Sequence, residues 1–213
     1  MDTTKRATFL QELRRSRLLA ILRDAPDESL VELAAVLREC GIRFVEVAMN
    51  TPGAVRQIGR LRDLLDASFH VGAGTVLAGT EAQAATSAGA SFLVSPCFSR
   101  EVQDFADDRG IPTLPGALSP QEIWHAHRHG ATLVKLFPAS SAGGPSYLKE
   151  VRGPFRDIPV LVCGGVNATN AREYLRAGAD ALAFGGSVFQ PSRLREGDWD
   201  GIRSDLETLR ATC

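Results

Sequence analysis

Two charged residues stand where an apolar run should be unbroken. Glu46 interrupts Phe44-Val45-Glu46-Val47-Ala48-Met49, and Lys135 interrupts Thr132-Leu133-Val134-Lys135-Leu136-Phe137. A buried charge is costly unless it is paired or neutralised. One reading is structural: the two form an ion pair, or each reaches solvent at a strand end. The other is chemical. A lysine in water is protonated at neutral pH, with a pKa of about 10.4, and an apolar setting disfavours the cation and frees the amine. A free amine attacks a ketone to give a Schiff base, whose iminium accepts the electrons released when the neighbouring C–C bond breaks. That reaction needs a proton shuttle, and a carboxyl group in a partly apolar setting provides one. Glu46 is the carboxylate that lies inside an apolar strand run. Cation usage points the same way. Only three of the 24 basic residues are lysines (Lys5, Lys135, Lys149), and the rest are arginines. An ion pair would be served by the arginine fork, whereas lysine alone loses its proton to become a nucleophile.

Two glycine motifs add a second chemistry. Cys163-Gly164-Gly165-Val166-Asn167 follows one apolar run and opens a helix, and Gly185-Gly186-Ser187 follows the next. Glycines let backbone N–H groups approach phosphate oxygens, and a helix N-terminus favours the anion. Gly72-Ala73-Gly74-Thr75 places the Thr75 hydroxyl at the end of a further run. His125, His127 and His129 lie in one helical stretch without a matching carboxylate pattern and read as a solvated helix end. Cys97 has no histidine placed beside it and reads as an ordinary residue, while Trp124 and Trp199 read as packing residues.

Positioning these groups is the task of a repeated unit. Glycines at 41, 89, 110, 130 and 178 are each followed within a few residues by an apolar run. The intervals of 48, 21, 20 and 48 residues give a period of about 20–24, with 48 counting as two units. A glycine just past an amphipathic helix suits the left-handed C′ position, and a continuous apolar run suits a strand buried on both faces. Eight strands are predicted: 18–23, 44–49, 70–75, 92–96, 113–116, 132–137, 160–163 and 181–184. Helix starts are expected at Asp27, Ser99, Ser119 (with Pro120 at the first helical position) and Asn167 or Thr169. Strand alternating with helix implies a parallel sheet, and eight units imply a closed (β/α)₈ barrel of the TIM type with an extra N-terminal helix near 4–15. No Gly-x-Gly-x-x-Gly follows the first strand, which argues against an open doubly wound sheet. In such a barrel the C-terminal strand ends form the active-site mouth, and the loops after strands 7 and 8 bind phosphate. Glu46 on the second strand and Lys135 on the sixth would converge there. Arg195–Gly201 reads as a loose loop before the last helix.

Composition bounds the remainder. The chain has 213 residues, 44% hydrophobic and 23% charged, with a formal charge of −1. That suits a single domain over 1–213 and gives no electrostatic basis for binding nucleic acid. The four cysteines are 57, 66 and 50 residues apart, with no Cys-x-x-Cys, which suits neither a zinc site nor a disulfide framework and fits a reducing cytoplasm. The charged N-terminus does not read as a signal peptide, and no apolar run is long enough for a membrane helix.

The motifs taken together resemble the pyruvate-dependent Schiff-base aldolases of the 2-keto-3-deoxy-6-phosphogluconate and 4-hydroxy-2-oxoglutarate family. The resemblance runs from about residue 19 to 189. It is carried by VEVAMNTP (45–52), VGAGTVL (71–77), SP (95–96), VKLFPAS (134–140), CGGVNATN (163–170) and FGGS (184–187). It implies a (β/α)₈ barrel, a homotrimer, and no metal or cofactor. It also implies reversible cleavage of a 2-keto-3-deoxy-6-phosphoaldonate to pyruvate and glyceraldehyde 3-phosphate. By position, Lys135 looks like the Schiff-base lysine, Glu46 like the general acid/base, and Thr75 like the hydroxyl beside the pyruvyl carboxylate. Pro96 and Phe137 look like the walls around the pyruvyl unit, and Gly164, Gly165, Gly186 and Ser187 like the phosphate cradle. Where phosphogluconate members carry an arginine, this chain has Asn50, in an Asn50-Thr51-Pro52 run similar to the phosphogalactonate branch. That branch also has the Ala-Ile-Leu-Arg run seen at 20–23, so Arg23 stands in for the missing cation. Ser140 replaces a glutamate usual in phosphogluconate members. The sugar acid thus stays open between the phosphogluconate and phosphogalactonate types, with 4-hydroxy-2-oxoglutarate as an alternative substrate. Two other readings are a phosphosugar isomerase or epimerase using Glu46 without an imine, and a non-catalytic sugar-phosphate binder.

Overall fold

The structure, a computed structural model, describes residues 3–213. Eight parallel strands close into a barrel in sequence order. They are β1 (Leu18–Leu22), β2 (Phe44–Ala48), β3 (His70–Gly74), β4 (Leu93–Ser95), β5 (Thr113–Ala117), β6 (Val134–Leu136), β7 (Val160–Cys163) and β8 (Ala181–Phe184). Before the barrel comes α1 (Thr3–Ser16). Around it run α2 (Leu30–Glu39), α3 (Ala54–Leu64), α4 (Gly79–Ser87), α5 (Arg100–Arg109), α6 (Pro120–Arg128), α7 (Gly144–Arg152) and α8 (Ala171–Arg176). Two further helices, α9 (Pro191–Glu196) and α10 (Trp199–Thr212), follow β8. The architecture is the expected (β/α)₈ barrel with an N-terminal helix. The five repeat glycines all adopt positive φ, from 64° to 103°, so the sequence period marks the helix ends that turn the chain back into the sheet.

The period-2 alternation of the strands sorts their side chains into two cores. Leu19, Phe44, Phe92, Val94, Leu114, Leu133, Leu161 and Ala181 fill the barrel interior. Leu18, Ala20, Val45, Val47, Val134 and Val162 point outward and pack under the helices. From α1, Phe9 and Leu13 join the interior core. The Phe9 ring lies 5.4 Å from Phe44 and 5.1 Å from Phe92, so α1 seals the barrel at the N-terminal ends of the strands. With that end plugged, the cavity of the barrel is at the other end.

Several ends differ from the sequence reading, and the differences have physical causes. Arg23, Thr75, Pro96 and Phe137 fall just outside the strands. They line the mouth, where Phe137 still donates its N–H to the Ala117 carbonyl of β5 at 3.0 Å. Ser99 and Ser119 cap their helices as expected, each hydroxyl accepting a backbone N–H of the first turn, from Val102 and Glu122 respectively. Asp27 does not cap α2. It begins a 3₁₀ turn (Asp27–Ser29), and its carboxylate accepts from Gln57 Nε2 at 2.7 Å and Arg56 Nε at 2.9 Å. These bonds hold its carboxyl below the usual range, Gln57 contributing most, and fasten α3 to the loop after β1. The helix expected after Asn167 or Thr169 begins at Ala171, because Asn167 turns its own loop by accepting from the Thr169 N–H at 2.9 Å. The stretch 195–201 is not a loose loop. It is divided between α9 and α10, and Arg193 bridges Asp198 at 2.7 Å and Asp205 at 2.6 Å across the join. Trp199 packs against the core, but Trp124 is about half exposed, at 49%, and stacks on Phe155 at 6.2 Å.

Candidate active site

The C-terminal ends of the strands surround a cavity of about 630 Å³. Every substrate-binding and catalytic candidate from the sequence lines it except Asn50. Its floor is made by β2, β6 and β7. Glu46 sits mid-strand, paired in register with Ile21 of β1 and Gly72 of β3. Lys135 sits mid-strand opposite Gly116 of β5 and Leu161 of β7. Each faces inward because its neighbours 45 and 47, or 134 and 136, face the helices. Glu46 is 2% exposed and Lys135 6%.

Glu46 Oε2 is buried with no hydrogen-bond partner. Burial pushes the carboxyl above its ordinary value, and the positive charges of Lys135 and Arg23 offset that only in part. The structural alternative, a well-bonded ion pair, would have satisfied that oxygen. Instead the carboxyl is biased toward its protonated form, as a group that gives and takes a proton should be. Lys135 Nζ lies 5.2 Å from the centroid of the Phe137 ring. It also sits beside the Cys163 thiol, which burial pushes above its ordinary value against the opposing charge of the lysine.

The rim beside Glu46 is polar. Arg23 donates from Nη1 to Asn50 Oδ1 at 2.5 Å and from Nη2 to Thr75 Oγ1 at 3.2 Å. Thr75 is held at φ 58°, an outlier for a β-branched residue, and such strain persists where the surroundings over-determine it. Asp24, at φ 53°, donates its backbone N–H to Thr51 Oγ1 at 3.0 Å. The β1 and β2 loops are thus tied at two successive residues. Asn50 is not part of the cavity lining and meets the rim at Arg23.

Opposite this rim, Gly164, Gly165, Gly186 and Ser187 form the wall contributed by the loops after β7 and β8. Gly164 and Gly165 have φ of 98° and 78°. A Cβ on Gly165 would come within 2.5 Å of Ser140 Cβ, and Ser140 donates its N–H to the Gly164 carbonyl at 3.1 Å. The small side chain at 140 packs directly beneath the glycine turn.

The sequence reading missed three contributors. Cys163 was read only as the start of a glycine motif, yet its parity with Leu161 on β7 puts its sulfur on the floor beside Lys135. Gly74 figures in the sequence only as part of the Gly72-Ala73-Gly74-Thr75 run that presents Thr75. A Cβ there would lie 2.4 Å from Glu46 Oε1, so the glycine leaves room for the carboxyl where it stands, and the +2 alternation from Gly72, which faces Phe92, was the available signal. Asp24 carried no signal. Away from this cavity, the rings of His125 and His129 lie 4.1 Å apart, and His125 and Cys97 both line a small separate cavity of about 290 Å³. Among the described residues no group of three His, Cys, Asp or Glu side chains is arranged to hold a metal.

A buried lysine and a buried carboxyl at the floor of a (β/α)₈ mouth, with a cationic rim on one side and a glycine wall on the other, define a class of barrel built for small anionic substrates. Residues 10–204 match the model of the KDPG and KHG aldolase family, and the chain belongs to that family. It is 37% identical to the 2-dehydro-3-deoxy-phosphogluconate aldolase of Pseudomonas aeruginosa over 187 residues, covering 87% of this chain and 84% of that one. It is 34% identical to the KHG/KDPG aldolase of Escherichia coli K12 over 176 residues, 82% of each chain. The crystal structure of KDPG aldolase from Legionella pneumophila, with pyruvate captured as a covalent carbinolamine intermediate, superposes with a TM-score of 0.86. That match is 27% identical and covers 94% of this chain and 97% of the other.

Proposed function

We propose that this chain is a lysine-dependent aldolase that reversibly cleaves a 2-keto-3-deoxy-6-phosphoaldonate to pyruvate and glyceraldehyde 3-phosphate. The observation that carries the reading is the pair of inward, buried groups, Lys135 and Glu46, on the floor of one cavity. The Lys135 amine attacks the C2 ketone of the substrate, the carbinolamine loses water, and an iminium forms. Glu46 supplies the proton that leaves with the hydroxyl and then, as carboxylate, receives the proton of the C4 hydroxyl. The C3–C4 bond breaks, its electrons pass into the iminium to give an enamine, and the aldehyde departs. Glu46 returns a proton to C3, and water hydrolyses the imine to pyruvate and free lysine. Arg23 and Thr75 grip the carboxylate, Pro96 and Phe137 confine the three-carbon unit, and Gly164, Gly165, Gly186 and Ser187 hold the phosphate.

The test is borohydride reduction in the presence of pyruvate, followed by peptide mapping. The expected adduct is on Lys135, and an adduct elsewhere or none would overturn the assignment. A coupled pyruvate-release assay with phosphogluconate-, phosphogalactonate- and hydroxyglutarate-derived keto acids side by side names the preferred sugar. Asn50 and the run ending at Arg23 favour the phosphogalactonate type.

The same reading extends to context. Residues 1–213 act as one domain. The enzyme works as a homotrimer, which the exposed apolar side chains of Val31, Val55, Leu77 and Trp124 support, and sedimentation equilibrium checks the mass. A cytoplasmic setting is supported by four cysteines that all stand free. Among the described residues no helix is long and apolar enough to cross a membrane.

A further inference from the structure

The rim arginine is held by side chains that carry no charge. Arg23 donates one Nη to an amide oxygen, Asn50 Oδ1 at 2.5 Å, and the other to a hydroxyl, Thr75 Oγ1 at 3.2 Å. Both acceptors are neutral. Other anchored arginines meet carboxylates, as Arg193 does Asp198 and Asp205 and Arg203 does Glu39 and Asp200, or backbone carbonyls, as Arg62 does Phe69 and Arg210 does Cys40, whereas Arg23 is held by two neutral side chains. A guanidinium oriented by carboxylates has its charge spent locally. One oriented by an amide and a hydroxyl keeps its full charge while losing its rotational freedom. Arg23 lines the cavity and Asn50 does not, and the bonds to Asn50 and Thr75 leave further guanidinium N–H groups without a side-chain acceptor among the described residues, available to a ligand. The neighbouring bond from the Asp24 N–H to Thr51 Oγ1, at 3.0 Å, fixes the two loops in this register.

We propose that Asn50 is a positioning residue. It aims Arg23 as an uncompensated cation at the carboxylate of the 2-keto acid, and its neutrality is the property that matters. The inference rests on the aldolase reading above. The pair then discriminates keto acids from neutral ketones of the same shape. Aspartate at position 50 would keep the hydrogen bond and cancel the charge. Alanine would keep the charge and release the aim. Thr75 does not replace the amide, because its hydroxyl already accepts from the other Nη.

The experiment uses borohydride trapping at Lys135 with two probes, pyruvate and its neutral methyl ester, on the full chain. For the unsubstituted enzyme, pyruvate is trapped at far lower concentration than the ester. For Asn50→Asp, the half-saturating pyruvate concentration rises about tenfold or more, the loss of one charge-assisted hydrogen bond. The half-saturating ester concentration moves less than about twofold, so the preference for the acid collapses. Asn50→Ala falls between the two, and Asn50→Gln, which restores a neutral amide, recovers part of the preference. Equal shifts for both probes would mean a merely structural role and overturn the proposal, as would an Asn50→Asp enzyme that keeps its preference. Should Asn50→Asp fail to fold, Asn50→Ala against Asn50→Gln decides it by the same ratio. No trapping of pyruvate by the unsubstituted enzyme is a different outcome: it removes the aldolase reading itself.

Discussion

The carboxyl of Glu46 occupies the space that a side chain on Gly74 would fill. A Cβ at position 74 would stand 2.4 Å from Glu46 Oε1 and 2.8 Å from its Cδ. The two residues are on neighbouring strands, β2 and β3, with Ala48 as the register partner of Gly74. The general acid/base is therefore held in place partly by an absence. Gly74→Ala would push the carboxyl away from its present position without changing any ionisable group. Misplacement by about 1 Å costs on the order of 10²-fold in rate. We expect kcat for cleavage to fall by about that factor, with pyruvate still trapped on Lys135. A variant with undiminished kcat would show that the slot does not position Glu46.

Lys135→Arg keeps a cation on the floor but removes the only amine there. Turnover and pyruvate trapping should both vanish, since the guanidinium stays charged at any accessible pH. Steady-state assay and intact mass after borohydride treatment check this. Residual turnover at the unsubstituted rate would favour chemistry without an imine.

Glu46→Gln removes the proton shuttle and keeps the shape. General acid–base catalysis contributes about 10²–10⁴-fold, and turnover should fall within that range. The same variant has a stability signature. Burial raises the Glu46 carboxyl in the folded protein above its ordinary value. A raised carboxyl pKa leaves stability intact below the unfolded value and erodes it as pH rises from there toward the folded value. Glutamine has no such penalty. Relative to the unsubstituted enzyme, the Tm of Glu46→Gln should therefore climb as pH is raised from the ordinary carboxylate range toward neutrality. Thermal denaturation at pH 4 and pH 7 measures the gap, and a gap that narrows toward pH 7 would contradict the sign.

Gly165→Ala tests the glycine wall. The position has φ 78°, and a Cβ would meet Ser140 Cβ at 2.5 Å. Strain of about 1–3 kcal/mol would reshape the loop after β7. The KM for a phosphorylated substrate should rise several-fold, while pyruvate trapping, which needs no phosphate site, stays close to normal. Equal loss with both ligands would place the damage elsewhere.

The regular elements were legible because local physics writes them. The glycine period marks helix ends, continuous apolar runs mark strands buried on both faces, and Ser99 and Ser119 cap their helices by accepting an N–H three residues on. Asp27 was misread for the opposite reason: its partners Arg56 and Gln57 lie about thirty positions away, and a helix cap and a long-range tether have the same residue type. Trp124 was misread as packing because an apolar side chain at a helical position says nothing about what covers it.

The sequence by itself determined that a charged pair, Glu46 and Lys135, sits on strands of an eight-fold repeat, and that two glycine turns close that repeat. It did so because strand parity and repeat order are one-dimensional. Only the tertiary structure decided what those residues meet. It put Cys163 beside Lys135, gave Glu46 the slot at Gly74 and left Oε2 unbonded, and set Asn50 against Arg23 instead of in the cavity lining. These are contacts between strands and loops brought together by closure of the barrel, and they depend on register, φ angles and side-chain volume, which no local pattern encodes.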